Sequence, residues 1–252
     1  MLKPTILRIT TLCLLILMKP KSLREYMLRW ALINDTEVKM KEYKVIIWDF
    51  NGTLIDDIDA ALASVNDMLK RRDLPLINFE QYASYVDTPI IKFYEHIFDD
   101  LYSMDFDVIA REFNAGYENH LKPNAVMDKA HEVLEYFNSK GKLQTVISAT
   151  HIDKVLNRLG EFGLKDYFDR ILAHNNLIAE DKTHLAVAYF KEKGISPCDA
   201  VVIGDCVADY KMAETLGCDC ILTTQGHQSC KEFAETDALV IDSLVELKNL
   251  IA

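Results

Sequence analysis

A parallel β-sheet covered by helices on both faces, with a helical insert after its first strand, is the α/β fold class this sequence predicts. Three observations lead there. Short apolar runs alternate regularly with segments of helical period along most of the chain. The runs are apolar nearly without interruption, which is how strands buried on both faces read. From about Asn78 to His120 the alternation stops, and aromatics and acids follow with no strand run.

Tyr43 to Asp49 (YKVIIWD) is a β-rich run ending in an acid, and Ile58, Leu62, Val65 and Leu69 then recur at helical spacing. In the insert, Tyr82, Tyr85, Phe93, Tyr94, Phe98, Tyr102, Phe106, Phe113 and Tyr117 read as amphipathic helices packing among themselves. Thr88-Pro89 and the region of Ser103 break them, and Pro123 closes the segment. Val126, Ala130, Val133, Leu134 and Phe137 form a helix ended by Gly141. Leu143 to Ser148 (LQTVIS) is a strand, Ile152 to Phe162 a helix stopped by Gly163, and Arg170 to Ala173 a short strand. Lys182 to Lys193 is a helix stopped by Gly194. Ala200 to Gly204 (AVVIG) is a buried strand, followed by a helix through Met212 and Leu216 to Gly217. Cys220 to Thr223 and Leu239 to Ile241 are further strands, and Leu244 to Leu250 is a last helix.

The 252 residues suit one large domain, or one domain carrying a smaller insert. Half are apolar and 27% charged, enough to bury a core without disulfides or structural metal, which excludes disordered and fibrous classes. A net charge of −11 excludes general affinity for nucleic-acid backbones, whose binders show a basic patch or stripe, but not a local pocket for a small anion. Cysteines stand at 13, 198, 206, 218, 220 and 230 with no C-x-x-C pair, and Cys218-x-Cys220 alternates as strand residues do. Free thiols in a reducing, cytoplasmic setting are expected.

Residues 1–39 read differently. They carry a balance of +4, leaving −15 on the rest. The apolar run Ile9 to Met18 falls short of the roughly 20 residues of a spanning helix. Lys19-Pro20-Lys21 stands where a signal peptide has small cleavage-site residues. The readings rank as a natural start at Met40 first, a weak membrane anchor using Leu23, Tyr26, Met27 and Trp30 second, and secretion last.

Ligands of such sheets sit at the carboxyl ends of the strands, so the residues there are informative. The first strand ends in Asp49-Phe50-Asn51-Gly52-Thr53-Leu54, the second in Ser148-Ala149-Thr150, and the AVVIG strand in Gly204-Asp205-Cys206-Val207-Ala208-Asp209. Lys182 opens an intervening helix. Two strand-end carboxylates suit a hard divalent cation, while a small hydroxyl and a lysine suit phosphoryl oxygens.

These segments resemble, in order, the four motifs of the haloacid dehalogenase superfamily, and the chain is similar overall to its phosphoglycolate-phosphatase-like branch. DFNGTL at 49–54 is the first motif, Ser148 the second, Lys182 the third and GDCVAD at 204–209 the fourth. The helical insert stands where that branch carries a mobile cap. The resemblance extends from about Glu42 to the C-terminus. It implies a Rossmann-like three-layer core of residues 40–56 and 124–252, with a helical cap of residues 57–123. The implied activity is that of a cytoplasmic, Mg²⁺-dependent phosphoric monoester hydrolase acting on a small phosphorylated metabolite, with no nucleic-acid partner. Asp49 would be the nucleophile, forming an aspartyl-phosphate that water then hydrolyses. Mg²⁺ would be held by the carboxylates of Asp49 and Asp205 and the backbone carbonyl of Asn51, with Asp209 as a ligand or behind one. Thr53, Ser148, Ala149 and Lys182 would receive the phosphoryl group, helped by N–H groups around Phe50 and Gly52.

One position departs from the family. Its phosphatases carry a second aspartate, which protonates the leaving group, where this chain has Asn51. An amide supplies no proton at neutral pH, and general acid–base help is worth roughly 10²–10⁴-fold. Four readings follow: a slow phosphatase or one for good leaving groups; a proton from the cap, with His96, His120 and Asp99-Asp100 as candidates; a drift toward binding or regulation; or dehalogenation, against which Asp205 speaks. Asp56 and Asp57 are read as caps of the next helix, with Asp57 in place of the family's common serine. His174, Asn175 and Asn176 read equally as site-lining or as ordinary loop, and His227 as surface. For Lys182 the alternative is a surface ion pair beside Glu180-Asp181.

Overall fold

The computed structural model describes residues 41–175 and 181–252. Its strands are β1 (Val45–Trp48), β2 (Leu143–His151), β3 (Arg170–His174), β4 (Ala200–Gly204), β5 (Asp219–Thr223) and β6 (Leu239–Ile241). They form a sheet of order β3-β2-β1-β4-β5-β6, paired in parallel throughout. The chain runs from the centre to one edge and then crosses to the other side, so the order reverses between β1 and β4. Trp48 pairs with Val146 on one side and Ile203 on the other, which brings the carboxyl ends of β1, β2 and β4 together. Such a reversal leaves a crevice for ligands at the carboxyl ends.

Side chains alternate across the central strand as the pleat requires. Ile46 and Trp48 pack on one face with Val146, Ile203, Leu134 and Phe137, and Val45 and Ile47 on the other with Ile147, Val202, Phe190 and Met212. The buried Trp48 indole donates to Gln144 Oε1 at 3.1 Å, and the Gln144 amide donates to Leu134 O at 3.0 Å, so neither polar group is stranded. The helices covering the sheet are α5 (Ala130–Ser139), α6 (Ile152–Glu161), α7 (Thr183–Lys193) and α8 (Val207–Leu216). Between β1 and β2 lie α1 (Ile58–Arg71), α2 (Phe79–Tyr85), α3 (Ile91–Glu95) and α4 (Phe106–His120), which share an apolar cluster of their own.

Within that cluster α1 and α4 meet at a glycine. A Cβ on Gly116 would lie 2.5 Å from Ser64 Oγ and 3.3 Å from the Ser64 backbone, and Ser64 Oγ already donates to Phe113 O at 2.7 Å. Arg72 clamps the same pair of helices through Glu112 at 3.0 and 2.6 Å. Gly116→Ala is therefore expected to destabilise the protein by about 1–3 kcal/mol, as overpacking does. Urea denaturation checks this, and an unchanged midpoint would show that the two helices separate freely.

Three elements differ from the sequence reading. α5 starts at Ala130 because Val126 is held in an antiparallel bridge to Ile55 and Lys129 takes a left-handed turn. β2 continues to His151 rather than ending at Ser148, with a register shift between those residues. Leu244–Asn249 is a 3₁₀ rather than an α-helix, because Ile251 leaves it to bridge with Lys41. No helix among the described residues is long and apolar enough to cross a membrane. Cys198, Cys206, Cys218 and Cys220 are free thiols. Cys13 and the readings of residues 1–39 lie outside the described residues.

Candidate active site

The DFNGTL segment leaves β1 in a tight turn, with Leu54 and Ile55 N–H groups both donating to Phe50 O. Gly52 sits at φ +74°, a left-handed conformation that favours glycine. A Cβ there would also fall 2.3 Å from Asp205 Oδ2, and one on Gly226 would lie 2.1 Å from Asp205 Cβ. Two glycines thus let backbone close over the Asp205 carboxylate. That carboxylate accepts from Thr53 Oγ1 at 2.9 Å and from the His227 N–H at 2.7 Å. Asp209, one turn into α8, accepts from the N–H groups of Asp205 and Cys206 at 3.2 and 3.1 Å.

Lys182 precedes the first turn of α7 and is buried, with its ammonium bonded to Asp49 and 2.7 Å from Asp209 Oδ1. The surface ion pair does not form between Lys182 and Asp181, whose carboxylate instead accepts from Thr183. Glu180 lies outside the described residues. Burial opposes the charge on Lys182, but Asp209 and Asp49 hold its pKa above the ordinary lysine range. Burial pushes the Asp49 carboxyl well up; Lys182 opposes this and Asp209 and Asp205 add to it. Burial raises Asp205 as well. Two buried carboxylates, Asp49 and Asp209, therefore share one ammonium, with Asp205 buried beside them.

Beside them lies a second network. Asp57, only 1% exposed, accepts on Oδ1 from the Gly52 N–H at 2.8 Å, and on Oδ2 from Asn51 Nδ2 at 2.5 Å and Tyr117 OH at 2.7 Å. Its Oδ1 also lies 3.2 Å from His227 Nε2, and His227 Nδ1 is 3.0 Å from the Tyr82 hydroxyl. Thr150 donates to Asn51 Oδ1 at 2.6 Å, so both ends of the Asn51 amide are engaged. Burial works against ionisation of Asp57, but His227, Tyr117 and Asn51 hold its pKa below the usual range. Burial likewise opposes charge on His227, and Asp57 outweighs it, lifting His227 to about 9.

Two expectations are corrected here. Asp57 occupies the N-cap position of α1 but makes no side-chain cap hydrogen bond, because its carboxylate is taken by Asn51, Gly52 and Tyr117. His227 is buried at the site rather than on the surface, because Gly226 lets the segment after β5 press against Asp205. The available signal was the polar TTQGHQ text just past a parallel strand. In metal-free protein the His227–Asp57 pair should be visible in stability. A raised folded-state pKa contributes fully below the unfolded value near 6.5 and is lost as pH rises through about 9. The loss is on the order of 3 kcal/mol from the size of the shift. Chemical denaturation in EDTA across that window checks it, with His227→Asn expected to flatten the curve.

A cavity of about 300 Å³ lies between the strand ends and the inserted helices. Asp49, Asn51, Ser148, Ala149, Lys182, Asp205 and Asp209 line one side, and Tyr82, Phe93, Phe106, Phe113 and Tyr117 the other. Thr53 is fully buried off this wall, its hydroxyl given to Asp205. Ser148 Oγ accepts from the Thr150 N–H at 3.0 Å. The cap candidates for a proton donor lie elsewhere: His96 stacks on Tyr85, His120 is 2.8 Å from Asp67, and Asp99 and Asp100 are exposed. His174 is buried against His184 away from the cavity, Asn175 is exposed, and Asn176 lies outside the described residues. Asp56 is exposed, its N–H donating to Ala125 O.

A parallel sheet with acids at the ends of its two central strands, roofed by an inserted helical segment, defines a class of α/β hydrolases. The sequence profile of the haloacid dehalogenase-like hydrolases matches residues 46–223. The chain belongs to that family, among its phosphoglycolate-phosphatase-like members. A phosphoglycolate phosphatase of Nitrosococcus oceani is 24% identical over 227 residues, covering 84% of this chain and 98% of its own. One from Pseudomonas savastanoi is 23% identical, covering 81% of this chain and 78% of its own. Among solved structures, a haloacid dehalogenase-like hydrolase from Streptococcus pneumoniae superposes with a TM-score of 0.69 at 14% identity, covering 82% of this chain and 97% of that one. A predicted phosphatase from Clostridium acetobutylicum gives 0.67 at 22% identity, covering 83% and 98%.

Proposed function

We propose that this protein is a Mg²⁺-dependent phosphatase of a small phosphorylated metabolite, working through an aspartyl-phosphate on Asp49. In this reading residues 57–123 are a cap over a core of residues 40–56 and 124–252, and the enzyme works in the cytoplasm. The observation that carries it is the buried Asp49, bonded to Lys182 and facing the cavity beside Asp205 and Asp209. The names of its curated relatives favour the same class of reaction.

The donor set fits a hard divalent cation. Asp205, Cys206 and Asp209 offer ligand atoms within 4.8 Å of one another, and the acids outnumber their one ammonium. Burial and then Asp205 keep the Cys206 thiol protonated, which leaves oxygen donors for Mg²⁺. The residues to hold it are Asp49, Asp205 and the Asn51 carbonyl, with Asp209 beside them. When bound, Mg²⁺ supplies charge neutralisation between the attacking carboxylate and the phosphate.

Asp49 attacks phosphorus, the bond from phosphorus to the alcohol oxygen breaks, and the alkoxide leaves. Ser148, Ala149 and Lys182 receive the phosphoryl oxygens, and Lys182 favours the charged form of Asp49 against the pull of burial. Water then cleaves the acyl phosphate and regenerates Asp49. Asn51 gives the departing alkoxide no proton, and Asp57 is held ionised by His227, so esters with poor leaving groups turn over slowly.

Hydrolysis of para-nitrophenyl phosphate with Mg²⁺ or with EDTA tests the proposal. Metal-dependent turnover is expected, and none in either condition contradicts it. The geometry also sets the outcome of restoring the acid. Asn51→Asp alone puts a carboxylate against Asp57 Oδ2, 2.5 Å from the present amide nitrogen, and like charges so placed cannot both ionise. The single variant should lose about 1–3 kcal/mol of stability. Asn51→Asp with Asp57→Ser removes that repulsion and should raise turnover of alkyl phosphates by roughly 10²-fold or more. Equal activity in the double variant and the parent would contradict the role given to position 51.

A further inference from the structure

We propose that the leaving alcohol of the substrate is an uncharged, apolar body of about ring size, and that compact doubly charged esters such as phosphoglycolate are disfavoured. This rests on the phosphatase reading above and specifies the other end of the substrate. Opposite the acids, the cavity wall is built from Phe93, Phe106, Phe113, Tyr117, Tyr82 and Ile90, so whatever projects from the phosphoryl group meets rings and an aliphatic side chain.

The cations of the cavity decide the matter. A substrate carboxylate buried under the cap requires a cation of its own, because an isolated buried charge is costly. Among the described residues lining the cavity, every cation already faces an acid. Lys182 serves Asp49 and Asp209, His227 serves Asp57, and His151 lies 3.7 Å from Asp153. Lys154 and Arg158, the two cations that α6 brings to the wall, both meet Glu118 from α4, at 3.3 and 2.5 Å. Lys154 also donates to Asn114 Oδ1 at 2.6 Å, and Arg158 pairs with Glu161 at 3.0 Å. Glu118 thus cancels the charge that a second anionic group on the substrate would seek. Burial of the apolar end between the rings is what remains to select the substrate.

The test compares phenethyl phosphate with phosphoglycolate. Both have alkyl leaving groups, so the lack of an acid at Asn51 weighs on each. Affinities are read by calorimetry with Mg²⁺ on Asp49→Asn protein, where neither ester is consumed. Para-nitrophenyl phosphate turnover by the parent separately reports whether the phosphatase reading holds. Phenethyl phosphate should bind at least about 100-fold more tightly, given that a single methylene in an apolar pocket is worth roughly 10–200-fold. Adding Glu118→Gln should free Lys154 and Arg158 and narrow that ratio by about 10-fold or more, while Phe113→Ala should weaken phenethyl phosphate. Equal or tighter binding of phosphoglycolate, no binding of either ester, or a ratio unmoved by Glu118→Gln would overturn the inference. Any of these with intact para-nitrophenyl phosphate turnover would leave the phosphatase reading standing.

Discussion

Asp49→Asn protein is expected to fold with near-parental stability and to hydrolyse para-nitrophenyl phosphate at least about 10⁴-fold more slowly, as loss of a covalent nucleophile does. The two halves of this expectation have separate causes. The Asp49 carboxylate is buried near Asp209 and Asp205, and burial is the strongest influence on it, ahead of the attraction of Lys182. The neutral amide has nearly the same shape, removes the repulsion and leaves Lys182 paired with Asp209. Stability is therefore close to balanced, whereas an amide has no charge with which to attack phosphorus. Thermal denaturation alongside the assay separates the two. A variant that unfolds would show that Asp49 holds the fold together, and one that stays active would remove it as the nucleophile.

Lys182→Met should give the largest loss of stability, about 3–5 kcal/mol, because removing one partner of a buried ion pair leaves the other charges uncompensated. Asp49 and Asp209 would lose the only ammonium bonded to them among the described residues. The sign of the pH dependence follows. With Asp49 already pushed upward in the parent, loss of the cation raises it further above its unfolded value. Acids raised in this way favour the folded state at low pH and penalise it as pH climbs through the folded-state values. The deficit should therefore shrink on acidification, and Mg²⁺ should restore part of it near neutral pH by replacing the missing charge. Urea denaturation at a few pH values, with and without Mg²⁺, checks both. A deficit independent of pH would point to lost packing of the lysine stem instead.

The core was legible because its chemistry is local to strand ends. An apolar run followed by Asp49, and another followed by Asp205, mark the carboxyl ends of β1 and β4, and a parallel sheet brings those ends together. The helices of the insert, where that alternation stops, were marked instead by their aromatics. The Asp57 network was not legible, because its members are brought together by tertiary contact alone. Tyr117 reaches Asp57 across 60 positions and His227 across 170, and no local period encodes either distance. Tyr117 reads in sequence as one more core aromatic of the insert, and its hydroxyl becomes informative only when seen beside Asn51 and Asp57. Lys182 shows the reverse case: its acidic neighbours suggest a solvated pair, yet the turn into α7 carries it over the sheet to Asp49.

The most direct measurement is peptide mapping after acid quench of the parent protein turning over para-nitrophenyl phosphate with Mg²⁺. A phosphoryl adduct is expected on the peptide that carries Asp49, absent in EDTA and absent from Asp49→Asn protein. Turnover without that adduct, or an adduct that persists in Asp49→Asn, would contradict it.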